Sequence, residues 1–144
     1  MMPVIRPTIL LIANHPQFMY LIQRYAERSG CWVISTSTVD VALALMLRDR
    51  PAMVLLHLMS WPHDGWPILR RLKENRATHN IPITIISALA DEARARNEGA
   101  AYWLWQPVMY ADFLDALVAT GTLPPTAAPR YILGDGDTDS RDTR

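Results

Sequence analysis

The stretch Met53-Val54-Leu55-Leu56 constrains the fold more than any other. It lies between Arg50-Pro51 and Trp61-Pro62-His63-Asp64-Gly65. A strand with one wet face alternates apolar and polar residues. This one does not, so it must be covered on both faces. Such covering needs a sheet with helices above and below it. Residues 8–12 (Thr-Ile-Leu-Leu-Ile) and 83–87 (Ile-Thr-Ile-Ile-Ser) have the same character. Residues 32–36 and 102–105 are two further strand candidates.

Helical patterns separate these runs. Phe18, Leu21, Ile22, Tyr25 and Ala26 form one apolar stripe, opened by Asn14 or His15 as cap with Pro16 in the first turn, and stopped by Ser29-Gly30. A helix over 38–48 buries Val41, Ala42, Leu45 and Met46, with Ser37 and Asp40 as a variant capping box. The helix over 66–74 turns Ile68, Leu69 and Leu72 inward, and 91–97 allows only a short polar helix before Gly99. The last helix, 110–120, carries Phe113, Leu114, Leu117 and Val118. Strand and helix alternate five times. With right-handed crossovers, that alternation predicts an α/β fold, a doubly wound three-layer (βα)5 sandwich around a parallel sheet. The domain is expected over residues 1–122. From Leu123 the chain turns to Pro124-Pro125 and then Gly134-Asp135-Gly136-Asp137, which predicts a disordered tail over 123–144.

Formal net charge is zero, so nothing favours a nucleic acid or an anionic membrane as partner. Arg70, Arg71 and Lys73 are expected to form a solvated helix face. The single cysteine, Cys31, allows no internal disulfide and suits a small buried site. Pro3, Arg6 and Pro7 interrupt any signal-peptide pattern, and no apolar run reaches membrane-spanning length. A cytoplasmic location is expected.

His57 is the first polar side chain beyond the central run. Strand carboxyl ends line the functional crevice of an open parallel sheet, so His57 is the leading site candidate. Four sets of residues then fall into a familiar order. Ile9-Leu10-Leu11-Ile12 is followed by Pro16, and Val54-Leu55-Leu56 by Leu58-Met59, Pro62 and Asp64-Gly65. Ile81-Pro82-Ile83 leads to Ser87-Ala88, and Gly99-Ala100 leads to Trp103 and Gln106-Pro107. In this order and spacing, residues 8–120 resemble a receiver domain of bacterial two-component response regulators. The resemblance implies the flavodoxin-like fold with strand order 2-1-3-4-5.

The resemblance also implies a degenerate site, a pseudo-receiver. The family's acidic, metal-holding pair falls on Ala13 and Asn14, its phosphoacceptor aspartate on His57, and its lysine on Gln106. Ser87 and Trp103 match the switch hydroxyl and switch aromatic. Magnesium wants hard oxygen ligands, usually carboxylates, and this set offers none. Histidine cannot form an acyl phosphate. The expectation is therefore a stand-alone, phosphorylation-independent protein-interaction module of two-component-type signalling, with no enzymatic activity and no cofactor.

The partner would be a protein, or a second copy, meeting the fourth helix, fifth strand and fifth helix. Trp103, Trp105 and Tyr110 are the candidate contacts there. Asn14, Ser87 and Gln106 are expected to converge around His57 and satisfy one another's hydrogen bonds. The alternative is a small-ligand or metal sensor built on His15, His57 and His63. His79 belongs at the opposite edge of the sheet and stands outside that group.

Overall fold

The computed structural model describes residues 6–60, 65–88 and 92–128. Five strands form the sheet: β1 (Thr8–Ile12), β2 (Trp32–Thr36), β3 (Met53–His57), β4 (Ile83–Ser87) and β5 (Tyr102–Trp105). Five helices separate and follow them: α1 (Pro16–Ser29), α2 (Val39–Asp49), α3 (Gly65–Glu74), α4 (Glu92–Asn97) and α5 (Tyr110–Ala119). All pairings are parallel, in the order β2-β1-β3-β4-β5. This is the flavodoxin-like arrangement, as expected.

The strand period of two splits the core into two layers. Ile9, Leu11, Met53, Leu55, Ile86 and Leu104 face α1 and α5, meeting Phe18, Ile22, Phe113 and Leu117. Leu10, Ile12, Val54, Leu56, Ile83, Ile85 and Trp103 face the other way, onto Met46 of α2, Leu69 and Leu72 of α3, and Ala95 of α4. All of β3 and β4 is buried, which is why their sequences hardly alternate.

Local signals set most helix ends. His15, not Asn14, caps α1: its Nδ1 accepts the Phe18 N–H at 3.1 Å, and Pro16 opens the helix. Gly30 closes it in the left-handed region, at φ 81°. The cap of α2 is Thr38 rather than Ser37, its hydroxyl accepting the Val41 N–H at 3.3 Å. That one-residue slip leaves Asp40 outside any capping box, and the face packed on the sheet is that of Ala42 and Met46, with Val41 47% exposed.

Arg70 and Arg71 do not stand alone in solvent. Arg70 grips Glu98 through two hydrogen bonds, at 2.8 and 3.1 Å, tying α3 to the turn after α4. Arg71 pairs with Asp40 of α2. At the far end, Leu123 packs on the α1/α5 layer and a 3₁₀ turn follows at Pro125–Ala127. The chain thus stays on the fold beyond the boundary expected at 122. Residues 129–144 of the expected tail lie outside the described residues.

Candidate functional site

Alternation along β3 decides where His57 points. Met53 and Leu55 face α1 and α5, so His57 does too. There its ring stacks on Phe18, with centroids 4.1 Å apart and planes 13° off parallel. Only 2% of the residue is exposed. Gln106 arrives on the same face, two positions beyond Leu104, and joins Pro107 through a cis peptide.

Both ring nitrogens are engaged. Nε2 lies 3.1 Å from Gln106 Oε1, and Nδ1 lies 2.7 Å from Ser60 Oγ. A carbonyl oxygen only accepts, so Nε2 carries the proton. In the neutral ring Nδ1 then holds a lone pair, and the Ser60 hydroxyl donates to it. Burial holds the imidazole below its ordinary protonation range; the Gln106 hydrogen bond opposes this in part, and His15 nearby adds to it.

Ser60 is the functional residue the sequence reading missed. The 3₁₀ turn Leu58–Ser60 carries the chain back over the end of β3 and puts the hydroxyl above the ring. Its oxygen also accepts the Asn14 N–H, at 2.8 Å. Asn14 therefore contributes its backbone to the site. Ala13 beside it is fully buried. A hydroxyl three residues past the last strand residue was the available signal.

An open cleft of about 600 Å³ adjoins the histidine, lined by His15, His57, Met59, Ala88, Gln106 and Pro107. The His15 and His57 rings are 6.0 Å apart, edge to face. His15 already spends Nδ1 on capping α1. His63, Trp61 and the aspartates of the tail lie outside the described residues. Among the described residues, no group of three or more His, Cys, Asp or Glu is placed to share a metal ion.

Ser87, expected beside His57, belongs to the other face. It continues the series Ile83, Ile85 toward α3 and α4, and its hydroxyl lies 4.0 Å from Met59 Sδ. Strand parity separates it from Gln106. Its register partner is Trp105. The Trp103 and Trp105 rings meet edge to face at 5.8 Å. Trp103 is 6% exposed, and its indole N–H is buried without a hydrogen-bond partner, whereas Trp105 is 48% exposed. Tyr110 sits half-buried under the Arg28 guanidinium, 4.1 Å from the ring centre. Trp66 is covered likewise by Arg94. Cys31 is buried just before β2, and His79 is exposed near the start of β4.

A groove of about 290 Å³ runs along the β5 edge between Tyr102, Trp105, Asp112 and Asp115. Desolvation, with Asp112 nearby, pushes the Asp115 carboxyl above its ordinary range.

No protein-family model matches the chain. Among curated proteins it is similar to the response regulator PleD of Caulobacter vibrioides, 36% identical over 70 residues. That match covers 46% of this chain and 15% of PleD. It is 27% identical over 137 residues to the transcriptional regulator RpaA of a Synechocystis strain, covering 90% of this chain and 57% of that protein. It thus spans well under two thirds of either. Protein PilH of Pseudomonas aeruginosa is 25% identical over 103 residues, 69% of this chain and 85% of PilH.

Two solved structures share the fold. A chemotaxis response regulator of Vibrio cholerae superposes with a TM-score of 0.71 at 15% identity, covering 81% of this chain and 99% of that one. A sensor histidine kinase receiver domain from Pseudomonas aeruginosa, with a magnesium ion coordinated in its active site cleft, also gives 0.71, at 20% identity and the same coverage. The strand order and these two structures show the receiver-like, flavodoxin-type fold, and the similarity to response regulators such as PleD and to PilH supports a receiver domain of the CheY-like type within it.

Proposed function

We propose that this receiver works in two-component-type signalling without being phosphorylated, as a protein-interaction module. One observation carries the reading. His57, at the position the resemblance gives to the phosphoacceptor, is buried, stacked on Phe18 and hydrogen-bonded through both ring nitrogens to neutral partners. Around it stand the Ala13 methyl, the Asn14 backbone, Ser60 and Gln106. A hard divalent cation needs several oxygen ligands, usually with carboxylates among them, and this donor set does not fit it. Among the described residues the site carries no carboxylate and its polar groups are satisfied, so it has nothing to gain from a cation. Gln106, standing at the lysine position, has no charge to pair with a phosphoryl group.

The partner surface in this reading is the β5 edge with α4 and α5. Trp105 is its exposed aromatic, and Asp112 and Asp115 give it negative charge. Trp103 backs Trp105 from inside the fold, and Tyr110 lies at the start of α5. In this reading the folded unit runs through Leu123 and the 3₁₀ turn at Pro125–Ala127, and the chain is cytoplasmic. Among the described residues no helix is long and apolar enough to cross a membrane.

The test immobilises the chain and captures its partner, with and without Mg²⁺ and phosphoramidate, a phosphoryl donor. Capture should be unchanged by the donor and weakened by Trp105→Ala. Capture that requires the donor would contradict the reading. The cleft beside His15 and His57 also admits a ligand or metal sensor. Zinc there must displace Ser60 or Gln106 from His57, or the cap hydrogen bond from His15. Calorimetric zinc titration decides between the two: tight binding lost in His57→Ala supports the sensor.

A further inference from the structure

We infer that Ser60 is an acylatable serine, with His57 as its general base and Gln106 holding that base in place. This goes beyond the interaction role and does not depend on it. Three side chains form a single hydrogen-bonded line. The Ser60 hydroxyl lies 2.7 Å from His57 Nδ1, and His57 Nε2 lies 3.1 Å from Gln106 Oε1. A nucleophile, a base within hydrogen-bond reach and a third group orienting the base are the geometric signature of an activated hydroxyl. The acceptor oxygen of Gln106 selects the tautomer that leaves Nδ1 free to take a proton. Phe18 fixes the ring plane from one side.

A fourth contact favours the same chemistry. The Asn14 N–H donates to Ser60 Oγ at 2.8 Å, which eases loss of that hydroxyl's proton to His57 and fixes the direction of its lone pairs. Ser60 is itself only part-buried, unlike the histidine. Gln106 offers a dipole where better-known arrangements place a carboxylate, so the base is oriented but its cation is weakly stabilised.

The chemical class of the electrophile follows from the lining. Among the described residues no lysine or arginine lines the cleft beside His57, next to Ser60 in the chain; Met59, Ala88 and Pro107 supply apolar surface there. A phosphoryl donor would bring negative charge to a place without cations. An uncharged ester fits better. In the reaction Ser60 Oγ bonds to the ester carbonyl carbon as its proton passes to His57 Nδ1. The tetrahedral adduct then expels the alkoxide or phenoxide, which leaves with the electron pair of its C–O bond and takes the proton from Nδ1. Ester and serine become acyl-serine and alcohol, with no oxidant or other reactant required.

The experiment treats the full chain with p-nitrophenyl acetate, follows p-nitrophenol release, and maps the acetyl group by peptide mass spectrometry. The acetyl group should fall on Ser60 and vanish from that peptide in Ser60→Ala. Gln106→Leu should slow release about 10-fold or more, and Gln106→Glu, which supplies a carboxylate at the same reach, should speed it. The rate should climb with pH through an ionisation below the usual histidine value and then level off. Circular dichroism checks that both position-106 variants are folded. A purely structural serine predicts something else: acetylation no faster than at exposed Ser37, or equal rates in Gln106→Leu and Gln106→Glu. Either result overturns the inference.

Discussion

His57→Asp would restore, in one step, the residue type that the resemblance expects at the end of β3. In a working receiver site the change should be welcome, and Mg²⁺ should reinforce it. Here the introduced carboxylate would face the Phe18 ring, the Ala13 methyl and the Gln106 carbonyl oxygen, with no lysine or arginine beside it among the described residues. Two hydrogen bonds of the imidazole are lost, each worth about 0.5–1.5 kcal/mol net. An uncompensated charge at a site only 2% exposed is the larger cost, so the expected destabilisation is about 3–5 kcal/mol at neutral pH. At a urea slope of about 2 kcal/mol per molar, the midpoint falls by roughly 2 M. The loss should shrink at acid pH, where the carboxyl is neutral, and Mg²⁺ should not recover it. Urea melts of both proteins, with and without millimolar MgCl₂, give the answer. A variant as stable as the parent, or one rescued by Mg²⁺, would show instead that this pocket accommodates a carboxylate as a working receiver site does.

Other consequences can be measured by the same melts. Leu55→Ala, in the fully buried centre of β3, should cost about 2–5 kcal/mol. Trp103→Phe removes an indole N–H that is buried without a partner, so relief of that desolvation offsets lost packing, and the net change should stay under about 1 kcal/mol. His57 contributes a pH dependence of definite sign. Its folded protonation range lies below the unfolded value of about 6.5 because burial disfavours the cation. Between those two values the unfolded chain binds the extra proton, so stability falls as pH drops below about 6.5 and levels off beneath the folded value. In His57→Phe that segment of the stability curve should flatten; an unchanged slope would place its origin elsewhere.

The architecture was legible because it rests on periodicity. The unbroken apolar run at 53–56 and the run at 83–86, interrupted only by the buried Thr84, read as central strands, and the helical stripes between them assign the layers. Less legible were features that turn on one residue. Ser37 and Thr38 are both good caps, and side-chain chemistry alone does not choose between them; the cap is Thr38, and Val41 faces solvent. Ser87 was expected beside His57, yet strand parity, readable from the register of apolar residues, puts the two on opposite faces. The Ser60 contact needed the 3₁₀ turn after β3, which no apolar pattern announces. The partners of Arg70 and Arg71 depend on how α2, α3 and the turn after α4 lie side by side, and spacing along one helix cannot supply that.

In this reading the cleft at the end of β3 takes neither magnesium nor a phosphoryl group. Intact-mass spectrometry after incubation with phosphoramidate and Mg²⁺ tests it most directly. The mass should stay unchanged at every Mg²⁺ concentration. A stoichiometric, Mg²⁺-dependent phosphoryl adduct that disappears in His57→Ala would contradict it.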